Sequence, residues 1–454
     1  MTADTIFAPA TAPGRAGIAV FRLSGPGAGA ALERLTGAPL PPARRAARRV
    51  FRDPADGAAV DDGIALWFPA PASFTGEDVA EIQTHGGRAV AEAIGLALGR
   101  LPGLRLAEPG EFTRRAFLNG KLDLTEAEGL ADLIAAETEA QRRQARRQLD
   151  GALGRLYAGW GGALTRRLAH LEAAIDFAEE DLPVEVIPKV VHGIDALSAD
   201  IRNHLQDKGR GEVLRQGIHV VILGPPNAGK STLLNALVKR EAAIVSDRAG
   251  TTRDVIEAHL DLGGYPVVLA DTAGLAEIVG GTAAIDPVEA EGMRRARDRA
   301  ADADFKLLVL DGAAADPLAG LAVAADADSL VLVSKADLLA DADATAARLA
   351  DTLGSPVMAV SATGGAGLAA VVETLTRAVA ERFAETGAPV LTRARHRLAL
   401  EACVEALDRA RAAALPELIA EDLRLALRSL GRITGKVDVE DLLDVVFRDF
   451  CIGK

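Results

Sequence analysis

The octapeptide Gly224-Pro225-Pro226-Asn227-Ala228-Gly229-Lys230-Ser231 constrains this chain more than any other stretch. It follows the apolar run His219 to Leu223 and precedes a helical run, Thr232 to Val238, so its glycines fall between a strand and a helix. That order builds a phosphate cradle, because glycines let backbone N–H groups approach an anion closely and the helix N-terminus adds its dipole. Lys230 supplies a point charge to the outer phosphates, and the Ser231 hydroxyl suits magnesium. From Gln216 to about Arg382, further apolar runs (Val267 to Ala270, Phe305 to Leu310, Leu330 to Val333, Val357 to Val360) alternate with helical stretches. The alternation predicts a parallel sheet covered by helices.

The remaining pieces of a nucleotide site follow in order. Asp271-Thr272-Ala273-Gly274 ends a strong strand, where a carboxylate can hold a metal through water and a glycine amide can sense a γ-phosphate. Thr251-Thr252-Arg253-Asp254 lies between the two, and Thr252 joins Ser231 as a magnesium ligand. Ser334-Lys335-Ala336-Asp337 and Ser361-Ala362-Thr363 follow two later strands. Asp337 suits the two guanine donors that adenine lacks in that arrangement, which selects GTP. The series resembles the translation-factor-like GTPases, which usually carry Asn where Ser334 stands. The nucleotide set is thus Asn227, Ala228, Gly229, Lys230, Ser231 and Thr232, the run Ser246-Asp247-Arg248-Ala249-Gly250-Thr251-Thr252, Asp271 to Gly274, Ser334, Lys335, Asp337, and Ser361 to Thr363.

Leu275, after Gly274, has no polar group to orient a hydrolytic water. Asn227 and the run Ser246 to Thr252 resemble the potassium-activated GTPases. That resemblance implies a potassium ion held by Asn227, Ser246, Arg248 and Thr251, in place of an arginine finger. The alternative is that Asn227 only tightens the loop. By the same resemblance Glu289 positions the water; the register also admits Glu277 or Glu291, and a solvated glutamate without a role stands beside all three.

At 454 residues the chain exceeds one hydrophobic core, and usual domain sizes suggest roughly three units. A formal charge of -13 excludes a protein that coats nucleic acid through a broad basic surface. Cys403 and Cys451 make no disulfide framework, and the start Met-Thr-Ala-Asp lacks a basic, apolar leader, so a reducing cytoplasm is expected. No run approaches the roughly 20 apolar residues of a spanning helix.

Residues 1–119 read as an α+β domain, with strands such as Gly17 to Leu23 and Gly63 to Phe68 and a helix near Ala89 to Leu98. Residues 120–215 read as helical, opened by a capping box of Thr125 and Glu128. Residues 216–382 form the phosphate-loop GTPase domain, and 383–454 return to helix (Arg393 to Arg411, Ala420 to Leu430, Val439 to Phe450). The expected fold is therefore multidomain α/β and α, with a GTPase domain inserted in a helical one.

The two ends are more specific. Asp4-Thr5-Ile6 through Ala10-Thr11-Ala12-Pro13-Gly14-Arg15 to Phe21-Arg22-Leu23-Ser24-Gly25 resembles the N-terminal domain of the MnmE (TrmE) family of tRNA modification GTPases. So do Ser73-Phe74-Thr75-Gly76-Glu77-Asp78, Thr84-His85-Gly86-Gly87 and Glu111-Phe112-Thr113 through Leu124, and so does the ending Phe450-Cys451-Ile452-Gly453-Lys454. The resemblance covers essentially the whole chain. It implies an N-terminal domain that dimerises and binds 5,10-methylene- or 5-formyl-tetrahydrofolate through Arg22, Glu81, Lys121 and Lys454. It also implies a homodimer, an MnmG-like flavoprotein carrying FAD in a heterotetramer, and modification of C5 of tRNA uridine 34.

Several residues keep two readings. Cys451 falls at the end of an apolar helical face (Val439, Leu442, Leu443, Val446, Phe450) capped by Asp438, where the dipole disfavours a thiolate unless Lys454 or another cation is near. The family ending gives Cys451 a functional role; an inert thiol is the alternative. Cys403 reads as core. Arg142, Arg143, Arg146 and Arg147 form a basic cluster suited to tRNA phosphates or to local ion pairs. His85 is either a ligand contact or a turn residue. A ribosome-assembly switch is the rival function; such proteins usually add a basic RNA-binding domain, and none is legible here.

Overall fold

A computed structural model of the chain describes residues 4–176, 186–207, 209–240, 257–271, 294, 298–319, 321, 323–384, 387–437, 443, 446–447, 450 and 453. The chain divides into two compact units. One comprises Met1–Ala131, Gln148–Ala199 and Ala399–Lys454; the other comprises Asp132–Arg147 and Asp200–Leu398.

The first unit holds six strands: β1 (Thr5–Pro9), β2 (Ala16–Ser24), β3 (Ala47–Arg52), β4 (Ala59–Phe68), β5 (Val79–Gly86) and β6 (Leu104–Leu106). Their order is β3-β4-β5-β2-β1-β6, antiparallel throughout except that β6 runs parallel to β1. Strand alternation sets the two faces. Phe21 and Leu23 of β2 and Ala80 and Ile82 of β5 bury beneath helices α1 (Ala28–Thr36) and α2 (Arg88–Gly99). On the opposite face Ile6 and Ala8 pack against Phe112 of α3 (Glu111–Leu118), with Phe74 at the edge. The far end of that face leaves Ile18, Val50 and Ile64 exposed.

Helix α4 (Leu124–Ala135) packs Leu124 and Ala127 against Leu443, Phe447 and Phe450. Helix α6 (Ala152–Asp176) packs along helix Pro416–Thr434, and α7 (Val186–Leu205) and α8 (Arg210–Gln216) follow it in the chain. The end of the chain returns to its beginning: a β-carbon on Gly453, whose φ is +96°, would lie 2.1 Å from the carbonyl oxygen of Pro9.

The second unit is built on strands β7 (Ile218–Leu223), β8 (Glu257–Leu262), β9 (Tyr265–Asp271), β10 (Phe305–Asp311), β11 (Ser329–Ser334) and β12 (Val357–Ala359), in the order β12-β11-β10-β7-β9-β8. All pairs are parallel except the β8–β9 hairpin. Both faces are covered, which is why these strands read as continuous apolar runs. Val220, Ile222, Leu307 and Val309 pack toward α9 (Lys230–Arg240) and helix Leu368–Phe383, while Val221, Leu223, Leu308 and Leu310 pack toward helix Ala342–Leu353. Each such side chain contributes roughly 1.5–3 kcal/mol on burial. Residues 132–147, which the sequence places with the helical segment, cluster here: in α5 (Glu139–Leu149) Ala140 N donates to Gly264 O at 2.9 Å, and Gln141 and Gln144 donate to the carbonyls of Arg215 and Gly211. Among the described residues no helix is long and apolar enough to cross a membrane.

The cap of α4 corrects the sequence reading. Asp123, not Thr125, is the capping residue: Asp123 Oδ1 accepts from Glu126 N at 2.9 Å, and Glu126 Oε2 accepts from Asp123 N at 2.8 Å. The helix begins two residues earlier than expected, and Thr125 and Glu128 are both buried inside it. Asp123→Ala is expected to lower stability by about 1 kcal/mol, read as an earlier urea midpoint, with Asp123→Asn recovering most of it. An unchanged midpoint for Asp123→Ala would return the cap to Thr125.

Candidate nucleotide site

The site forms along the carboxyl edge of the parallel sheet, where such folds bind ligands. β7 leads into Gly224, whose φ of +156° and closeness to β10 admit no side chain: a β-carbon would lie 2.1 Å from Val309 O. The loop then turns through Asn227 (φ +62°) and Gly229 (φ +87°) into α9. Asparagine tolerates that left-handed backbone, which gives Asn227 a conformational reason to be there. Its side chain is exposed, whereas Ala228 is buried. Lys230 is only 8% exposed, and its ammonium donates to the carbonyls of Gly224 and Pro225 at 3.0 and 2.9 Å. Its charge therefore sits inside the curl of the loop. Ser231 and Thr232 stand in the first turn of α9. Asn227 and Ser231 offer neutral oxygen donors beside that curl, the chemistry hard cations take.

Asp271 closes β9 and pairs in register with Ile222 of β7, beside the start of the loop. Ser246, Asp247, Arg248, Ala249, Gly250, Thr251, Thr252, Thr272, Ala273, Gly274, Glu277, Glu289 and Glu291 lie outside the described residues.

The loops expected to read the base converge two strands away. Ser334, at the end of β11, is 5% exposed, with its hydroxyl 2.7 Å from Ala228 O and 3.0 Å from Leu310 O. Lys335 takes a left-handed φ of +57° and donates to Asp311 Oδ2 at 2.7 Å. Asp337 Oδ1 accepts from the buried Ser361 hydroxyl at 2.5 Å. That bond, with lesser help from backbone and Thr363, holds the Asp337 carboxyl below the usual range. Ser361 in turn accepts from Gly364 N at 2.9 Å, and Ala336 N donates to Val360 O, so the two loops are stitched together. The structure thus brings the phosphate loop, Ser334 to Asp337, and Ser361 to Thr363 to one edge, and Ser334 joins the two halves.

In the first unit Arg22 and Glu81 are cross-strand partners with an ion pair of 2.9 Å. The Arg22 guanidinium lies 5.4 Å from the Phe74 ring centroid and 5.9 Å from that of Phe112. Lys121 donates to Pro71 O at 3.2 Å, in the loop that carries Phe74. Lys454 and Cys451 lie outside the described residues. Nearby is a charged network that sequence reasoning missed. Arg115, 4% exposed, pairs with Glu111, Asp4 and Glu77, and Glu77 accepts from Ser24. Burial works against the Glu111 charge, yet the bonds from Arg105, Glu108 N and Arg115 hold its carboxyl low. Its one legible signal is the i,i+4 spacing of Glu111 and Arg115.

The other candidates resolve as follows. Arg142 and Arg143 both pair with Glu139, at 2.7 and 2.8 Å, pulling its carboxyl down to about 2. Cys403 is fully buried, and burial pushes its thiol up to about 12. His85 is exposed, with Nδ1 2.9 Å from Asp61 Oδ1 and its backbone N–H on Asp61 Oδ2.

Two family models match the chain: the GTP-binding protein TrmE N-terminus over residues 5–121 and the MnmE helical domain over residues 124–451. A protein named tRNA modification GTPase MnmE from Paramagnetospirillum magneticum is 58% identical over 453 residues, 99% of this chain and 100% of that relative. One of the same name from Rhodospirillum rubrum is 57% identical over 470 residues, 100% of both. Among solved structures, the G domain of the T. maritima FeoB iron transporter matches at 25% identity over 36% of this chain and 98% of that chain, with a TM-score of 0.24.

The Asp61 bond raises the His85 pKa above its ordinary 6.5; burial works against the Asp61 charge, but the bonds from the His85 ring and the backbone N–H groups of His85 and Asp62 together hold its carboxyl low. The pair's contribution to stability is therefore complete below about 6.5 on the histidine side and fades as pH rises through the folded His85 value. At the acid end it fades as pH falls through the folded Asp61 value. An NMR titration of the imidazole is expected to give a midpoint above 6.5 that drops in Asp61→Asn; equal midpoints in the two proteins would show that the bond does not persist in solution.

Proposed function

The chain belongs to the MnmE family of tRNA modification GTPases, and from that premise we propose that its GTP hydrolysis serves the addition of an aminomethyl or carboxymethylaminomethyl group to C5 of uridine 34 of tRNA. The chain is a GTP-hydrolysing enzyme. The observation that carries the reading is the convergence of the Lys230 loop and the Asp337–Ser361 pair on one carboxyl edge, tied by Ser334.

In this reading the loop amides and Lys230 hold the phosphates, Ser231 and Thr252 hold magnesium, and Asn227, Ser246, Arg248 and Thr251 hold potassium. The two cations, when bound, supply positive charge where the phosphates gain negative charge. Glu289 positions the attacking water. Asp337, kept ionised by Ser361, takes the guanine donors. The GTP cycle opens and closes the two GTPase domains of a homodimer.

The one-carbon donor, 5,10-methylene- or 5-formyl-tetrahydrofolate, binds in the first unit. Glu81 takes adjacent pterin N–H donors, while Arg22, Lys121 and Lys454 meet anionic groups. Two observations support this. Arg22 is backed by Phe74 and Phe112, which fix a cation beside an apolar wall. Gly453, the chain neighbour of Lys454, lies against Pro9, next to the Ala8–Arg22 strand pair. Exposed Ile18, Val50 and Ile64 on the open sheet face support the homodimer, since burying them offers apolar area. An MnmG-like flavoprotein supplies FAD in a heterotetramer, Cys451 serves the modification chemistry, and the site of action is the cytoplasm.

Nucleoside mass spectrometry on tRNA from a deletion strain tests the reading: the modified wobble uridine is expected to disappear and to return with the wild-type gene. Its persistence in the deletion strain would sink the assignment. For the cation, exchanging potassium for sodium at matched ionic strength is expected to slow hydrolysis by at least roughly tenfold; equal turnover in both salts would remove the potassium site.

A further inference from the structure

Guanine presents acceptors, N7 and O6, as well as donors. Asp337 can meet only the donors, because an ionised carboxylate has no proton to give. The acceptor edge needs a donor from the protein, and among the described residues the hydroxyls around the base loops have already spent theirs, while the Lys335 ammonium is drawn away to a carboxylate. Ser334 has one hydroxyl proton, and its buried oxygen lies 2.7 Å from Ala228 O and 3.0 Å from Leu310 O. Lys335 directs its ammonium to Asp311 at 2.7 Å. Ser361 gives its proton to Asp337, which leaves the Thr363 hydroxyl, 3.2 Å away, as the donor to the Ser361 oxygen.

We propose that Ser334 is a positioning and specificity residue: its single proton tethers the base-reading loop to the carbonyl of Ala228 in the phosphate loop, and the guanine N7 therefore receives no side-chain hydrogen bond in this enzyme. Among side-chain contacts, the base is read on its donor edge alone. An asparagine at this position carries two amide protons and an acceptor, so it can tether and still donate. Serine keeps the first task and gives up the second. The inference rests on the nucleotide-site reading above and concerns how that site grips its base.

The test is equilibrium binding of GDP and 7-deaza-GDP to the full-length protein in magnesium buffer. Replacing N7 by a C–H group deletes one acceptor and leaves the donor edge intact. The two nucleotides are expected to bind wild type within about twofold of each other, because no side-chain bond is lost. Ser334→Asn is expected to gain roughly three- to tenfold for GDP and nothing for 7-deaza-GDP, the range one hydrogen bond spans. Ser334→Ala is expected to weaken both nucleotides by the same factor, since it cuts the tether and spares the base contacts. A wild-type preference for GDP over 7-deaza-GDP of roughly fivefold or more would overturn the N7 claim without needing any variant to fold. Undiminished GDP affinity in Ser334→Ala would overturn the tether. Absence of GDP binding by wild type would instead defeat the nucleotide site itself, so the failures are distinguishable.

Discussion

The close approach of Gly224 to the backbone of β10 is the constraint from which the nucleotide site is built. With no β-carbon to spare, the loop leaves β7 hard against Val309, and that contact fixes where the following amides and Lys230 can stand. The apolar runs of β7 and β10 hold this junction rigid because both are buried on two faces. An alanine at Gly224 would have to push two core strands apart, and close-packed interiors yield poorly to such strain. The chemistry at the sheet edge thus depends on a packing condition inside the sheet.

A second condition acts on the first unit, where the two ends of the chain meet. Gly453 sits on Pro9, and a β-carbon on Gly110 at the start of α3 would lie 2.7 Å from Phe447 O. Phe447 and Phe450 complete the core that begins at Leu124. Phe447, Phe450 and Gly453 are therefore part of the same compact unit as β1 and β2, although over four hundred positions separate them in sequence. Arg115, Glu111, Asp4 and Glu77 brace this region with buried charge. Removing one partner there leaves an uncompensated ion, which is costly in a way that losing an exposed pair such as Arg88–Glu92 is not.

Legibility followed locality. The phosphate loop could be read because eight consecutive residues encode its turn, and the parallel sheet because two covered faces leave an unbroken apolar signature. The α4 cap was misread by two residues: Asp123–Glu126 and Thr125–Glu128 share one spacing, and only the hydrogen bonds separate them. The Arg22–Glu81 register depends on strands distant in sequence, and no pattern in either strand announces its partner. The role of Ser334 was hidden for a related reason. Sequence shows a serine where asparagine is usual in the GTPases it resembles; only the fold shows the Ala228 carbonyl 2.7 Å away, which turns an apparent loss of contact into a tether.

The grouping of residues 132–147 with the α/β unit has a mechanical consequence that composition could not reveal. This stretch begins and ends next to residues of the other unit, yet its own hydrogen bonds go to the β8–β9 turn and to the residues entering β7. Asp132 adds a bidentate pair with Arg393, where the chain leaves the same unit. The chain thus crosses between the two units four times rather than the two that a simple insertion needs. The β8–β9 turn, bonded to Ala140, joins the strand that follows Thr252 to the strand that ends at Asp271. Displacement of either strand must carry α5 with it or break these bonds, and α5 is covalently continuous with the rest of the helical chain.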